Sequence, residues 1–297
     1  MPFSRSRVAS RPRPGVDVTL IVHHFELDRF TKFIEDDFTG PLLILGLLAQ
    51  LRQRGSVRHV HVSSGAGPRE SDVAILHVNA TVVSREYTDF AATFARCVNR
   101  RVSDISKRTI STQLAGPGTT GPVIAKSNLN YYGHPERLLN ARAARQGQPV
   151  PFPDAVVTKE YAVYPSFGDV PATVLEDEHL VVEKYIPERS GDGYALRHWV
   201  FCGDEGYSNR YVSPEPIIKG SNVTSSEPVP VPDELRQWRR DHGLEYGKMD
   251  FVVHDDQALL LDANKTPGRI PSSTGDASRR LTMLADGLEA LITGEDT

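Results

Sequence analysis

Two acidic residues stand where strands should be apolar. Between Tyr246 and Gly268 the runs Phe251-Val252-Val253 and Leu259-Leu260-Leu261 flank Asp255-Asp256-Gln257, the pattern of a β-hairpin, yet the runs carry Asp250 and Asp262. Side chains alternate along a strand, so Lys248, Asp250 and Val252 share one face, and Leu260, Asp262 and Asn264 share a face of the second strand. A three-residue loop, Asp255 to Gln257, sets Asp250 directly opposite Asp262, with Cβ atoms roughly 4.5–5.5 Å apart. Carboxylates at that separation repel unless a cation lies between them. Mg²⁺ suits the place, with Mn²⁺ as the alternative, because a hard ion takes carboxylate oxygens, adds the neutral oxygen of Asn264, and completes its shell with waters and phosphates. The bland alternative is a surface hairpin whose acids face water; the apolar runs are too continuous for an exposed ribbon. Asp255 and Asp256 are ordinary turn residues.

The sequence Gly247-Lys-Met-Asp-Phe-Val-Val253, followed by Leu259-Leu-Leu-Asp-Ala-Asn-Lys-Thr-Pro-Gly268, resembles the metal-binding end of the ATP-grasp superfamily. Asp262 stands where many members carry Glu. The resemblance continues in order over about residues 100 to 290. It implies Mg²⁺-ATP on Asp250, Asp262 and Asn264, phosphate-facing lysines at Lys107 and Lys126, and a lid over the triphosphate containing Asn128, Asn130 and Gly133. It also implies adenine reading by the backbone of Lys184, Tyr185 and Ile186, with Glu183 and Glu188 nearby for the base amine or ribose.

The residues themselves admit plainer readings. Lys126 ends the apolar run Val123-Ile124-Ala125 and brings a point charge to phosphate, or else is an edge-strand cation that discourages aggregation. Arg197 shares a face with Ala195 and Trp199, and bidentate phosphate or carboxylate binding is its natural work if that face lines the cleft. Arg269 is a further candidate cation. The cluster Arg100 to Arg108 also reads as solvated surface. Tyr161, Tyr164, Ser166 and Phe167 line a pocket or pack a loop. His23, His24, His61 and His77 fall near strand ends where α/β sheets bind ligands, or are structural.

What the resemblance implies is an ATP-dependent ligase: a carboxylate becomes an acylphosphate, which an amine of a small molecule or peptide attacks, with Lys126 and Arg197 stabilising charge in transfer. A small-molecule kinase on the same fold and a non-catalytic nucleotide-binding module are the alternatives. A kinase wants a carboxylate base beside the acceptor, and none is evident; a non-catalytic module should have lost a metal ligand, and none is lost.

At 297 residues the chain can hold a large core. Lys+Arg 34 against Asp+Glu 38 gives a net charge of −4, so no overall positive field recruits nucleic acid or a membrane. Cys97 and Cys202 are too few for a disulfide framework and suit a cytoplasmic setting. The longest apolar run, Pro41 to Leu51, is far short of a bilayer span. A homodimer is left open. The expected fold is α/β with α+β lobes: a disordered basic arm (1–15), a small N-terminal α/β lobe of Rossmann-like type (16–98), and two ATP-grasp lobes, central (99–180) and C-terminal (181–297). The N-terminal lobe should alternate strands at Val16–His23, Val57–Val62 and Asp72–Val83 with a helix over Leu42–Leu51 and another over Tyr87–Val98. Amphipathic spacing predicts further helices at Pro232–His242 and around Leu281–Leu291.

Overall fold

Val18 and Leu20 face one side of the first strand and Ile21 the other, and this strand must be covered on both faces. A computed structural model describes residues 15–155, 161–271 and 275–294. In it β1 (Val16–Ile21) is central to a parallel sheet ordered β2-β1-β3-β4, with β2 (Val57–Ser63), β3 (Val73–Leu76) and β4 (Arg96–Val98). The helices between them are α1 (Leu27–Glu35), α2 (Leu43–Gln53) and α3 (Arg85–Ala92). α2 buries Leu43, Ile44, Leu45, Leu47, Leu48 and Leu51 completely, a gross hydrophobic contribution on the order of 10 kcal/mol.

The middle of the chain forms a second, antiparallel sheet ordered β6-β5-β7: β5 (Val123–Ser127), β6 (Ala162–Tyr164) and β7 (Leu180–Lys184). Helices α4 (Lys107–Ile110), α5 (His134–Arg145) and α6 (Ala172–Leu175) accompany it. The third sheet runs β11-β10-β9-β12-β13, with β8 (Glu188–Ser190) also on β9. Its strands are β9 (Gly193–Cys202), β10 (Glu205–Ser213), β11 (Ser225–Pro228), β12 (Tyr246–His254) and β13 (Gln257–Asn264). α7 (Asp233–His242) packs Leu235 against Trp199, Met249 and Phe251 on one face of this sheet. α8 (Ala277–Thr293) returns to the beginning of the chain, so Leu284, Leu288 and Ile292 share one core with α2 and β1. That approach requires Gly287, where a Cβ would collide with the carbonyl oxygen of Cys202.

Two expectations are corrected. The helix over Tyr87–Val98 stops at Ala92, because Arg96–Val98 pairs with β3; Val98 keeps the apolar spacing while serving a strand. The strand over Asp72–Val83 is only Val73–Leu76. The segment after Gly133, for which the sequence carries no expectation, is α5, whose Leu139 and Ala143 dock on the N-terminal sheet beside Leu76 and Tyr87. The basic arm, apart from Gly15, lies outside the described residues. No described helix is long and apolar enough to cross a membrane.

Candidate active site

Asp250 and Asp262 are direct neighbours across β12 and β13, by a route the loop length alone does not give. The turn is the two residues Asp255 and Asp256, both left-handed at φ 47° and 59°, the conformation of a type I′ hairpin. Such a loop pairs His254 with Gln257 and would place Leu261 opposite Asp250. An irregularity between Asp250 and Phe251 shifts the register, so Phe251 pairs with Leu260 but Asp250 with Asp262 and Lys248 with Asn264. The bulge restores the parity that puts Lys248, Asp250, Asp262 and Asn264 on one face.

Cations surround this face. Lys248 Nζ is 2.9 Å from Asp250 Oδ1, and His198 Nε2, from the paired position on β9, is 3.6 Å away. Asp250 Oδ1 is buried and has no hydrogen bond of good geometry, so the Lys248 contact is an ion pair by distance alone, and the His198 contact is one only when the imidazole is protonated. Lys107, itself buried, donates from Nζ to Asp262 Oδ1 at 3.3 Å and to the Leu129 carbonyl at 3.2 Å. Burial would raise the pKa of Asp250, but Lys248, His198 and Lys107 outweigh it and hold the carboxyl below its usual value. Burial lowers the pKa of Lys248, but Asp250 and Asp262 overcome this and raise it. His198 is lowered by burial, which exceeds the pull of Asp250, so its imidazole is neutral at neutral pH.

The facing wall is the β6-β5-β7 sheet. Lys126 forms a buried ion pair with Glu183 Oε2, while Glu183 Oε1 is buried without a partner. Tyr161 feels acids of both walls: burial raises its pKa first, and Tyr132, Asp262 and Glu183 add to the effect. Its ring is 5.3 Å from that of Tyr132. Tyr131, Tyr132 and Gly133 are consecutive left-handed residues, at φ 46°, 59° and 74°. Two bulky residues in that region mark stored strain at the mouth of the cleft.

Other expected site residues fall differently. Asn128 Oδ1 accepts from the Arg108 backbone and its carbonyl from Lys107, so it fastens α4 to β5 and does not project into the cleft as a lid group. Asn130 is buried and donates its backbone N–H to Thr81; Gly133 caps α5. The Lys184 and Tyr185 amides are spent on the carbonyls of Gln113 and Pro122, which leaves Ile186 as the hinge amide not engaged by these partners. Arg197 pairs in register with Phe251, on the face opposite Asp250. Its guanidinium grips Glu188 bidentately, at 2.9 Å from Nε and from Nη2, and Arg210 Nε reaches the same carboxylate at 2.8 Å. Arg197 and Glu188, expected at the phosphates and the ribose, are thus partners of each other. The sequence list lacked Lys248, although its position two residues before Asp250 put it on the same face, and His198, which only the β9–β12 register brings in.

Among the described residues no three His, Cys, Asp or Glu side chains gather to hold a metal unaided. Two carboxylates and Asn264, whose Oδ1 already accepts from the Thr266 amide at 2.8 Å, fit an ion that takes its other ligands from phosphate and water. The Asp250 oxygen that is buried without a hydrogen bond of good geometry fits the same occupant. The chain is similar in fold to ATP-grasp ligases. The D-alanine–D-alanine ligase of Bacillus anthracis complexed with ATP matches at a TM-score of 0.38 and 12% identity, over 95% of this chain and 100% of that one. A RiPP-associated ATP-grasp ligase of Chryseobacterium gregarium, in complex with ADP and a leader and core peptide, matches at 0.48 and 10%, over 95% and 98%. The macrocyclase MdnC of Microcystis aeruginosa, bound with precursor peptide MdnA, matches at 0.45 and 11%, over 94% and 100%. No protein-family model and no curated protein matches the chain. At these identities the roles of single residues rest on this chain's own geometry.

Proposed function

We propose that the chain is an ATP-dependent ligase that activates a carboxylate as an acylphosphate for attack by an amine of a small molecule or peptide. The observation that carries the reading is the opposed Asp250–Asp262 pair on one face, flanked by Lys107, Lys248 and His198 and confronted by Lys126 on the facing wall. Mg²⁺, or Mn²⁺, held by Asp250, Asp262 and Asn264 would neutralise phosphate charge during transfer. Lys107 and Lys248 already stand at the carboxylates, and each can exchange a carboxylate oxygen for a phosphate oxygen as ATP enters. Lys126 does the same from the opposite wall, leaving Glu183 free for a ribose or base donor. The acceptor carboxylate is ionised at neutral pH, so its attack on the γ-phosphorus, with release of ADP, needs no general base. The turn at Tyr131–Gly133 and the Tyr132–Tyr161 pair then keep water from the acylphosphate until the amine displaces inorganic phosphate. Two buried free cysteines suit a cytoplasmic setting.

A neutral His198 beside Asp250 could take the proton of a hydroxyl acceptor, which keeps a small-molecule kinase as the second reading. The two part on one experiment. With MgATP, a panel of candidate acids and hydroxylamine in place of the amine, the ligase gives a hydroxamate in step with ADP. A stable phosphate ester with no hydroxamate overturns the ligase reading in favour of the kinase.

A further inference from the structure

A cavity of about 600 Å³ lies away from the cleft, where β4, the β9–β10 turn and the last turns of α7 and α8 meet. Arg96, Arg100, Arg101, Arg239 and Arg240 line it. None of them has a part in the proposed reaction. The simplest account is that arginines there cap helix ends, and several do. Arg96 donates to the Ile292 carbonyl at the end of α8, and Arg101 to the Asp241 carbonyl at the end of α7.

Capping does not account for the charge. Among the described residues, five guanidiniums against the lining carboxylates Asp204 and Glu245 leave 5 − 2 = +3. Two helix C-termini contribute about −0.5 each, which leaves about +2 in a concave space. Glu245 is raised by burial, an effect that the Asn99 amide and then Arg239, Arg100 and Arg101 only partly reverse. Donors are also in surplus. A guanidinium has five N–H groups, and among the described residues Arg96, Arg101 and Arg240 each make a single hydrogen bond. Among the described residues, Arg100 Nε is buried without a hydrogen-bond partner.

We propose that this cavity is a second binding site, distinct from the cleft, for a phosphoryl dianion. Guanidinium forks match phosphate oxygens in pairs, and a volume of about 600 Å³ is that of a small-molecule site. A chain of net charge −4 offers no positive track along which nucleic acid would run. Two sources of the group are open, free phosphate and a phosphate monoester, and the assay separates them.

The test is calorimetric titration of the full chain with inorganic phosphate and, separately, with adenosine monophosphate, at constant ionic strength. Arg101→Met with Arg240→Met removes two forks from the exposed rim. Saturable binding that this double variant weakens by at least about tenfold, and that Lys126→Met leaves unchanged, supports the site. The tighter of the two ligands names the source. No saturable binding, equal binding by the double variant, or loss on Lys126→Met instead would overturn it. Should the double variant fail to fold by circular dichroism, Arg240→Met alone, whose wild-type side chain among the described residues bonds to Gln237 within α7, carries the same outcomes.

Discussion

Replacing Asp262 by Asn separates the metal role of this side chain from its structural one. In the ligand-free protein Asp262 has one strong partner, Lys107 Nζ at 3.3 Å, whose side chain is only 3% exposed. Asparagine keeps an acceptor oxygen for that ammonium but not the charge, which costs about 1–2 kcal/mol. Against this, the like-charge opposition to Asp250 disappears, returning roughly 0.2–1 kcal/mol. The net is a loss of about 1 kcal/mol, which for a chain of this size lowers Tm by roughly 2–4 °C. With MgATP at a hundred times its Kd the wild type gains about 2.7 kcal/mol, a rise of roughly 5–10 °C. The variant should gain little, because an ion left with one carboxylate and an amide oxygen is held weakly, and turnover should be abolished. Thermal melts of both proteins, with and without MgATP, give all four numbers. If Asp262→Asn keeps the full nucleotide-dependent rise or near-wild-type turnover, the metal assignment is wrong; if it unfolds without ligand, Asp262 is structural.

Lys126→Ala should weaken ATP far more than adenosine, by about tenfold or more, and equal losses in calorimetry would return Lys126 to the scaffold as Glu183's partner. His77 is fully buried with neither ring nitrogen bonded, and burial first, then Lys265, depresses its pKa to about 3. The unfolded state therefore binds a proton that the folded state refuses between pH 6.5 and about 3, so stability falls as pH falls through that window. His77→Leu should flatten that dependence in urea melts at pH 5 and 7.5, and an unchanged slope would refute the assignment. Glu188 is raised by burial but lowered more by Arg197, Arg210 and the Val253 amide, so its contribution is present above its ordinary value of 4.5 and lost as pH falls below it. Glu188→Gln should lower Tm at pH 7 by several degrees and narrow the gap to wild type in acid; a loss of ATP affinity with unchanged Tm would place Glu188 at the nucleotide instead.

The hairpin was legible because two carboxylates broke an otherwise apolar pattern, and period-2 alternation sorts the faces without knowledge of any partner. What alternation does not carry is register. Asp250 meets Asp262 through a bulge on a two-residue turn, and only counting from a three-residue loop gave the same pairing from sequence. Face-to-interior assignment was also invisible at Arg197: its neighbours Ala195 and Trp199 said that it shares their face, and that face turned out to hold α7 and the Glu188 pair. α5 escaped notice because its apolar residues are few. Leu139 and Ala143 suffice where Pro135 and Glu136 are already buried against the N-terminal lobe.

α5 also explains why the strained turn before it matters to chemistry. Its first residues tie the cleft to the N-terminal lobe: Glu136 Oε1 accepts the Thr81 amide, the Thr81 hydroxyl accepts the Asn130 amide, and the Thr81 carbonyl accepts Lys265 Nζ at 3.4 Å. Lys265 follows Asn264 directly, and it is buried with no carboxylate in ion-pair contact among the described residues, held by the Thr81 carbonyl and the more distant charges of Glu136 and Asp104. One threonine thus joins the segment that carries Asn264 to the segment that carries Tyr131 and Tyr132. A backbone shift at Asn264 and Lys265 would load the Thr81 contacts, and through Asn130 it would reach residues already in a sparsely populated backbone region. The energy available is modest, about 1–3 kcal/mol per strained residue, but it is stored at the only turn between Lys126 and α5, where movement would open or seal the cleft.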